Sequence, residues 1–113
     1  MLIVKERISV EEIKKIAQET FGNMVKAVVD VEKGTMAIGA ELHADGEAEL
    51  LTLGSKQENI WGINIYPDAE NEDFIEFDSL INLRPARGNR SRGVDNPEVR
   101  KRIIEIVYRL IKK

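Results

Sequence analysis

The stretch INLRPARGNRSRGVDNPEVRKR, residues 81–102, places Arg84, Arg87, Arg90 and Arg92 in one glycine-containing segment. A guanidinium is planar, always charged and carries paired N–H donors, so it recognises phosphate or carboxylate through two parallel bonds. No acidic residue lies between Arg84 and Val94, whereas the whole chain carries 17 Lys and Arg against 20 Asp and Glu, a formal charge of −3. Without this loop the balance is 13 against 20, or −7, so the positive charge is local. Gly88 and Gly93 admit positive φ and expose amides, and Pro97 marks the start of a helix whose free N–H groups favour an anion. With Asn89 and Ser91 as added donors, the segment reads as a loop that binds a phosphate-bearing small molecule or RNA. The competing reading puts the same arginines in ion pairs with Glu76, Asp78, Glu41, Asp45 or Glu47, or in a homodimer contact. The phosphate-loop patterns GxGxxG and GxxxxGKS/T are both absent.

Two further stretches carry chemistry-bearing side chains. In ELHADGEAE an extended backbone would align Glu41, His43 and Asp45 as metal ligands. Asp45-Gly46 instead reads as a turn or helix start that breaks this face, and a single histidine lacks the ligand redundancy of zinc motifs, so no metal is expected and His43 reads as a surface residue. In GSKQENIWGINIYP the spacing of Ser55 and Glu58 matches a capping box, which makes the segment a tight turn, with Lys56 and Gln57 as ligand contacts if that turn falls beside the arginine loop. Trp61 shares its phase with Ile63 and Ile65 and goes to the core. An enzymatic reading sets Glu76 or Asp78 with Lys56 and an arginine on a phosphodiester, which requires those groups around one reacting site. No motif calls for a cofactor.

These residues must be positioned by short alternating elements. Leu2–Val4 reads as a strand, and Ser9-Val10-Glu11-Glu12 as a capping box that opens a helix with Ile13, Ile16, Ala17 and Phe21 on one side and Gly22-Asn23 at its end. Residues 24–31 and 36–42 form a hairpin across Glu32-Lys33-Gly34-Thr35, and a short helix runs between Asp45 and Leu53. A second hairpin joins 60–66 to 74–83. A final helix begins at Pro97 with Asp95 or Asn96 as cap and buries Val99, Ile103, Ile106, Val107 and Leu110. The expected fold is a two-layer α+β domain: an antiparallel sheet of two hairpins, with the N-terminal strand as a candidate fifth, packed against three helices that cover one face. Alternation sends Trp61, Ile63, Ile65, Ile75, Phe77, Ile81 and Leu83 to the core. It leaves Asn64, Tyr66, Glu76, Asp78 and Asn82, with Lys26 and Asp30, on a polar face that is either ordinary solvated sheet or a shallow binding surface.

Composition supports one globular domain over residues 1–113, with 42% apolar and 33% charged residues. The absence of cysteine excludes disulfides, thiol nucleophiles and cysteine-held zinc or iron–sulfur clusters. MLIVKERIS meets a charge after four apolar-rich positions and no apolar run approaches the roughly 18 residues of a membrane span, so a cytoplasmic protein with no membrane partner is expected. On that basis the sequon Asn89-Arg90-Ser91 is a chance match. With aromatic residues at 5%, base stacking on an RNA has little to rest on. The motifs GSKQENIWGINIYP, FIEFDSLINLRP and GNRSRG together resemble those of a family of short uncharacterised prokaryotic proteins, a domain of unknown function. The resemblance spans nearly the whole chain and is strongest between Gly54 and Gly93. It implies a free-standing domain and brings no activity, cofactor or catalytic residue with it.

Overall fold

The computed structural model describes residues 1–113. In chain order the elements are β1 (Leu2–Val4), β2 (Ile8–Ser9), α1 (Val10–Glu19), β3 (Val25–Asp30), β4 (Thr35–Ile38), α2 (His43–Thr52), β5 (Ile60–Ile65), β6 (Ile75–Glu76), α3 (Pro97–Leu110) and β7 (Ile111–Lys112), with 3-10 turns among them. Five strands make one antiparallel sheet in the order β1-β4-β3-β5-β6, and β2 pairs in parallel with β7. This is the α+β class expected. No helix is long and apolar enough to cross a membrane.

Local sequence explains the helix starts. The Ser9 Oγ accepts from the Glu12 amide at 3.1 Å and opens α1, and the Asn96 side chain accepts from the Glu98 amide at 2.9 Å ahead of Pro97, where the missing N–H costs nothing. From α1, Ile13 and Ala17 reach the core, and from α3, Ile103, Ile106, Val107 and Leu110. Helix α2 starts two residues earlier than its acidic pattern suggested, at His43, and no side chain caps it.

The helices divide between the two sheet faces. Ala27 and Val29, Met36 and Ile38, and Trp61, Ile63 and Ile65 form the main core with α1 and α3. The opposite side chains Val28, Ala37 and Ile60 pack on Leu50 of α2. The two-layer arrangement thus gains a partial third layer, and all of β5 is buried instead of alternating. Gly46 allows this close approach, since a Cβ there would lie 2.9 Å from a Val28 methyl.

The expected strand over 74–83 is cut to Ile75–Glu76. Beyond it, Ser79 N-caps a 3-10 turn at Leu80–Asn82, its Oγ accepting from the Ile81 amide at 3.3 Å. The turn breaks the alternation, so Leu83 is exposed, Ile81 packs against the α2-side cluster and Asn82 is fully buried. The Asn82 amide replaces the missing strand. Its Oδ1 accepts from the Gly62 N–H at 2.8 Å and its Nδ2 donates to the Gly62 carbonyl at 2.9 Å. Gly62 must lack a side chain because a Cβ would meet Ser79 at 2.6 Å.

Ser55 is not the cap that its spacing with Glu58 suggested. Its hydroxyl donates to Asp30 Oδ2 at 2.5 Å, while Asp30 Oδ1 accepts from the Glu32 and Lys33 amides at 2.9 Å each. Asp30 is therefore a buried structural carboxylate that closes the β3–β4 turn, and it leaves the polar sheet face.

Candidate functional site

The four arginines of the loop go to different places. Arg84 turns inward: its Nη2 donates to the Ile60 carbonyl, its guanidinium lies 4.6 Å from the Trp61 ring centroid, and Glu47 Oε2 is 4.0 Å away. Burial pulls its pKa below the usual guanidinium value, opposed by Glu47, and Arg84 Nη1 and Glu47 Oε2 are both buried without a hydrogen-bond partner. Arg87 meets Glu58 at 3.5 Å with both side chains more than half exposed, a pair worth little in water. Arg92 Nε donates to Asp78 Oδ1 at 2.7 Å. Arg90 is exposed.

The loop amides are also in use. Asp95 fills the place where an external anion was expected: its Oδ2 accepts from the Arg90 amide at 2.8 Å and its Oδ1 from the Ser91 hydroxyl at 2.5 Å. These two bonds, the hydroxyl first, lower the Asp95 pKa. Asn89 is the buried hub of the loop. Its Nδ2 donates to the carbonyls of Asn82 and Gly93 at 2.7 and 2.9 Å, and its Oδ1 accepts from the Asp95 amide at 2.8 Å. Arg84, Asn89, Ser91 and Asn82 are thus spent on holding the loop, and the arginines have no common focus.

A different concavity forms where the polar sheet face meets the start of α2. It holds about 320 Å³ and is lined by Lys26 of β3, His43 of α2, Asn64 of β5, and Asp78 and Arg92 from the two sides of the loop region. Leu42 and Leu80, 61% and 67% exposed, are part of its wall. Register explains the floor: Lys26 sits opposite Asn64, and Asn64 opposite Glu76. Asn64 Nδ2 donates to Glu76 Oε1 at 2.9 Å, and the Tyr66 hydroxyl donates to the same oxygen at 3.1 Å. Burial, then that bond to Glu76, raises the Tyr66 pKa. Two acceptors, Glu76 Oε1 and the Asp78 carbonyl, fix the Asn64 amide orientation, which leaves its Oδ1 buried and without a partner.

A family model, Protein of unknown function (DUF5674), matches residues 2–110, from the first residue of β1 to the last of α3. The chain belongs to this family. Comparison with the curated proteins and with the solved structures returns no match. The DUF5674 match therefore encloses the whole pocket, and the chemistry of that pocket is read from its own side chains.

His43 was expected on the surface. Instead it is 8% exposed, and its Nε2 lies 2.7 Å from the Ile63 carbonyl. A carbonyl only accepts, so Nε2 carries the proton and Nδ1 of the neutral ring is an acceptor. Burial holds the His43 pKa below its ordinary value, helped by Lys26 and Arg92 and opposed by the Ile63 bond and Asp78. Of the sequence candidates, Asn64, Asp78 and Arg92 meet here, and Glu76 and Tyr66 adjoin through hydrogen bonds. Lys56 is exposed ahead of the turn at Gln57–Asn59 and is not among the residues lining this pocket. Nothing in the sequence signalled this placement, because the helix start was read two residues later, at Asp45.

Proposed function

We propose that this protein is a small binding module whose pocket between α2 and the sheet takes a small phosphate-bearing ligand. The observation that carries the reading is the uncapped N-terminus of α2, with Leu42, His43 and Ala44 on the pocket wall, facing the cations of Lys26 and Arg92. The first amides of a helix have no intrahelical acceptor and carry the positive end of its dipole. Asp78 neutralises part of Arg92, whose remaining N–H donors stay available. The pocket volume suits one small molecule, and the one tryptophan, Trp61, is buried beneath Arg84 and does not face the pocket as a stacking platform.

The test is calorimetric titration with inorganic phosphate and phosphate monoesters, with amide NMR shifts of residues 42–44 as the local readout. Lys26→Ala and Arg92→Ala are each expected to weaken binding by about ten-fold, the loss of one charge-assisted bond. Binding that neither variant alters, or the absence of binding by every phosphate compound, refutes the proposal. Salt-sensitive RNA binding that survives Lys26→Ala would return the function to the exposed Arg87 and Arg90.

A further inference from the structure

The pocket offers more than cations. His43 Nδ1 is an acceptor because the Ile63 carbonyl claims the proton on Nε2; it makes no hydrogen bond and is not among the fully buried polar atoms. Asp78 uses Oδ1 for Arg92 and has no hydrogen bond at Oδ2. Asn64, whose Oδ1 is buried and unpartnered, lines the same pocket. An unsubstituted alkyl phosphate dianion held by Lys26, Arg92 and the helix amides has only acceptor oxygens and brings no donor to His43 Nδ1 or Asp78 Oδ2. At neutral pH it would also set its own charge against Asp78.

We infer that the ligand is a phosphate monoester whose carbon skeleton carries free hydroxyl groups, as in a polyol or sugar phosphate, with the hydroxyls donating to His43 Nδ1 and Asp78 Oδ2. The inference rests on the phosphate reading above and names the part of the ligand that reading leaves open. Its physical basis is the asymmetry of polar burial: a site built with acceptors discriminates strongly against an analogue that lacks the matching donors, because those acceptors then lose water without replacement.

The experiment compares glycerol 3-phosphate, ribose 5-phosphate and glucose 6-phosphate with propyl phosphate, which has no free hydroxyl, by calorimetry on the full chain at fixed ionic strength. At least one hydroxylated ester is expected to bind about ten-fold tighter than propyl phosphate, the worth of two added hydrogen bonds. His43→Phe should shrink that ratio. Asp78→Asn is the second variant, since it keeps volume and removes one acceptor. Equal affinities for propyl phosphate and all three hydroxylated esters overturn this inference and leave the phosphate site standing. Failure of all four to bind overturns both.

Discussion

Replacing Asn82 with alanine should destabilise the protein without touching the pocket directly. The side chain is fully buried and makes three hydrogen bonds to backbone: from Gly62 N–H at 2.8 Å, and to the carbonyls of Gly62 and Arg92 at 2.9 Å each. Truncation strands the Gly62 N–H and C=O on the edge of β5 away from β3, while the Arg92 carbonyl keeps the Ser79 amide as donor at 2.9 Å. At a lower bound of about 1 kcal/mol per buried group left unsatisfied, the loss is about 2 kcal/mol. That is a large part of the roughly 6–17 kcal/mol that a chain of this length holds in total. The melting temperature should fall by about 8 °C, at about 4 °C per kcal/mol for this size. Circular dichroism melts at pH 7 measure it. Asn82→Asp separates geometry from volume: it preserves the acceptor for Gly62 N–H but points an oxygen at two carbonyls, so it should be no more stable than the alanine variant at pH 7 and should recover in acid as the carboxyl gains a proton to donate. An alanine variant that melts within about 4 °C of wild type would refute the idea that Asn82 stands in for a missing strand.

Arg84→Met should cost about 3 kcal/mol, because it leaves Glu47 buried without its cation, and Arg84→Met combined with Glu47→Met should recover most of that loss in urea denaturation; a double variant no better than the single one would contradict the pairing. His43 gives a pH signature. Its folded pKa lies below the ordinary 6.5, so the unfolded chain takes up the proton first, and its contribution is whole above about 6.5 and lost as the pH falls from there toward the depressed folded value. Urea midpoints at pH 7.5, 6.5 and 5.5 should therefore fall more for wild type than for His43→Gln, and parallel curves would show that His43 does not titrate with unfolding.

What the sequence disclosed follows from how local each cause is. The caps at Ser9 and Asn96 and the apolar stripe of α3 depend on residues within one or two turns, and those helices form as read. The β3–β4 hairpin follows from a β-branched run and a glycine turn, although the Asp30 carboxylate that closes it also accepts from Ser55, 25 residues away. The run over 74–83 fails as a strand for a non-local reason. Gly62 on β5 opens a space that Ser79 fills, and a side chain from the turn takes over the ladder bonds. A two-residue pairing such as β2 with β7 has no pattern of its own to detect. The polar face was legible as alternation on β5, but α2 covers part of the sheet on that side, which alternation cannot announce once both faces are buried.

The arginine loop shows why charge density in sequence is a weak guide to a site. Four guanidiniums in nine residues fix a local excess of positive charge, but the directions of Arg84, Arg87 and Arg92 are set by carboxylates on other elements: Glu47 on α2, Glu58 in the turn before β5, and Asp78 after β6. Each pair removes an arginine from any shared focus, and Asp95 takes the amides that an external anion would need. Arg92 differs because its carboxylate partner is itself part of a pocket wall, so the pair orients a partly free guanidinium instead of burying it. In the proposed site, a cation from β3, Lys26, and the open end of α2 supply what the loop alone lacks. The site is thus a product of topology: β3, β5 and the start of α2 meet only because the sheet order interposes β3 between β4 and β5, and α2 must cross back over β3 to connect them.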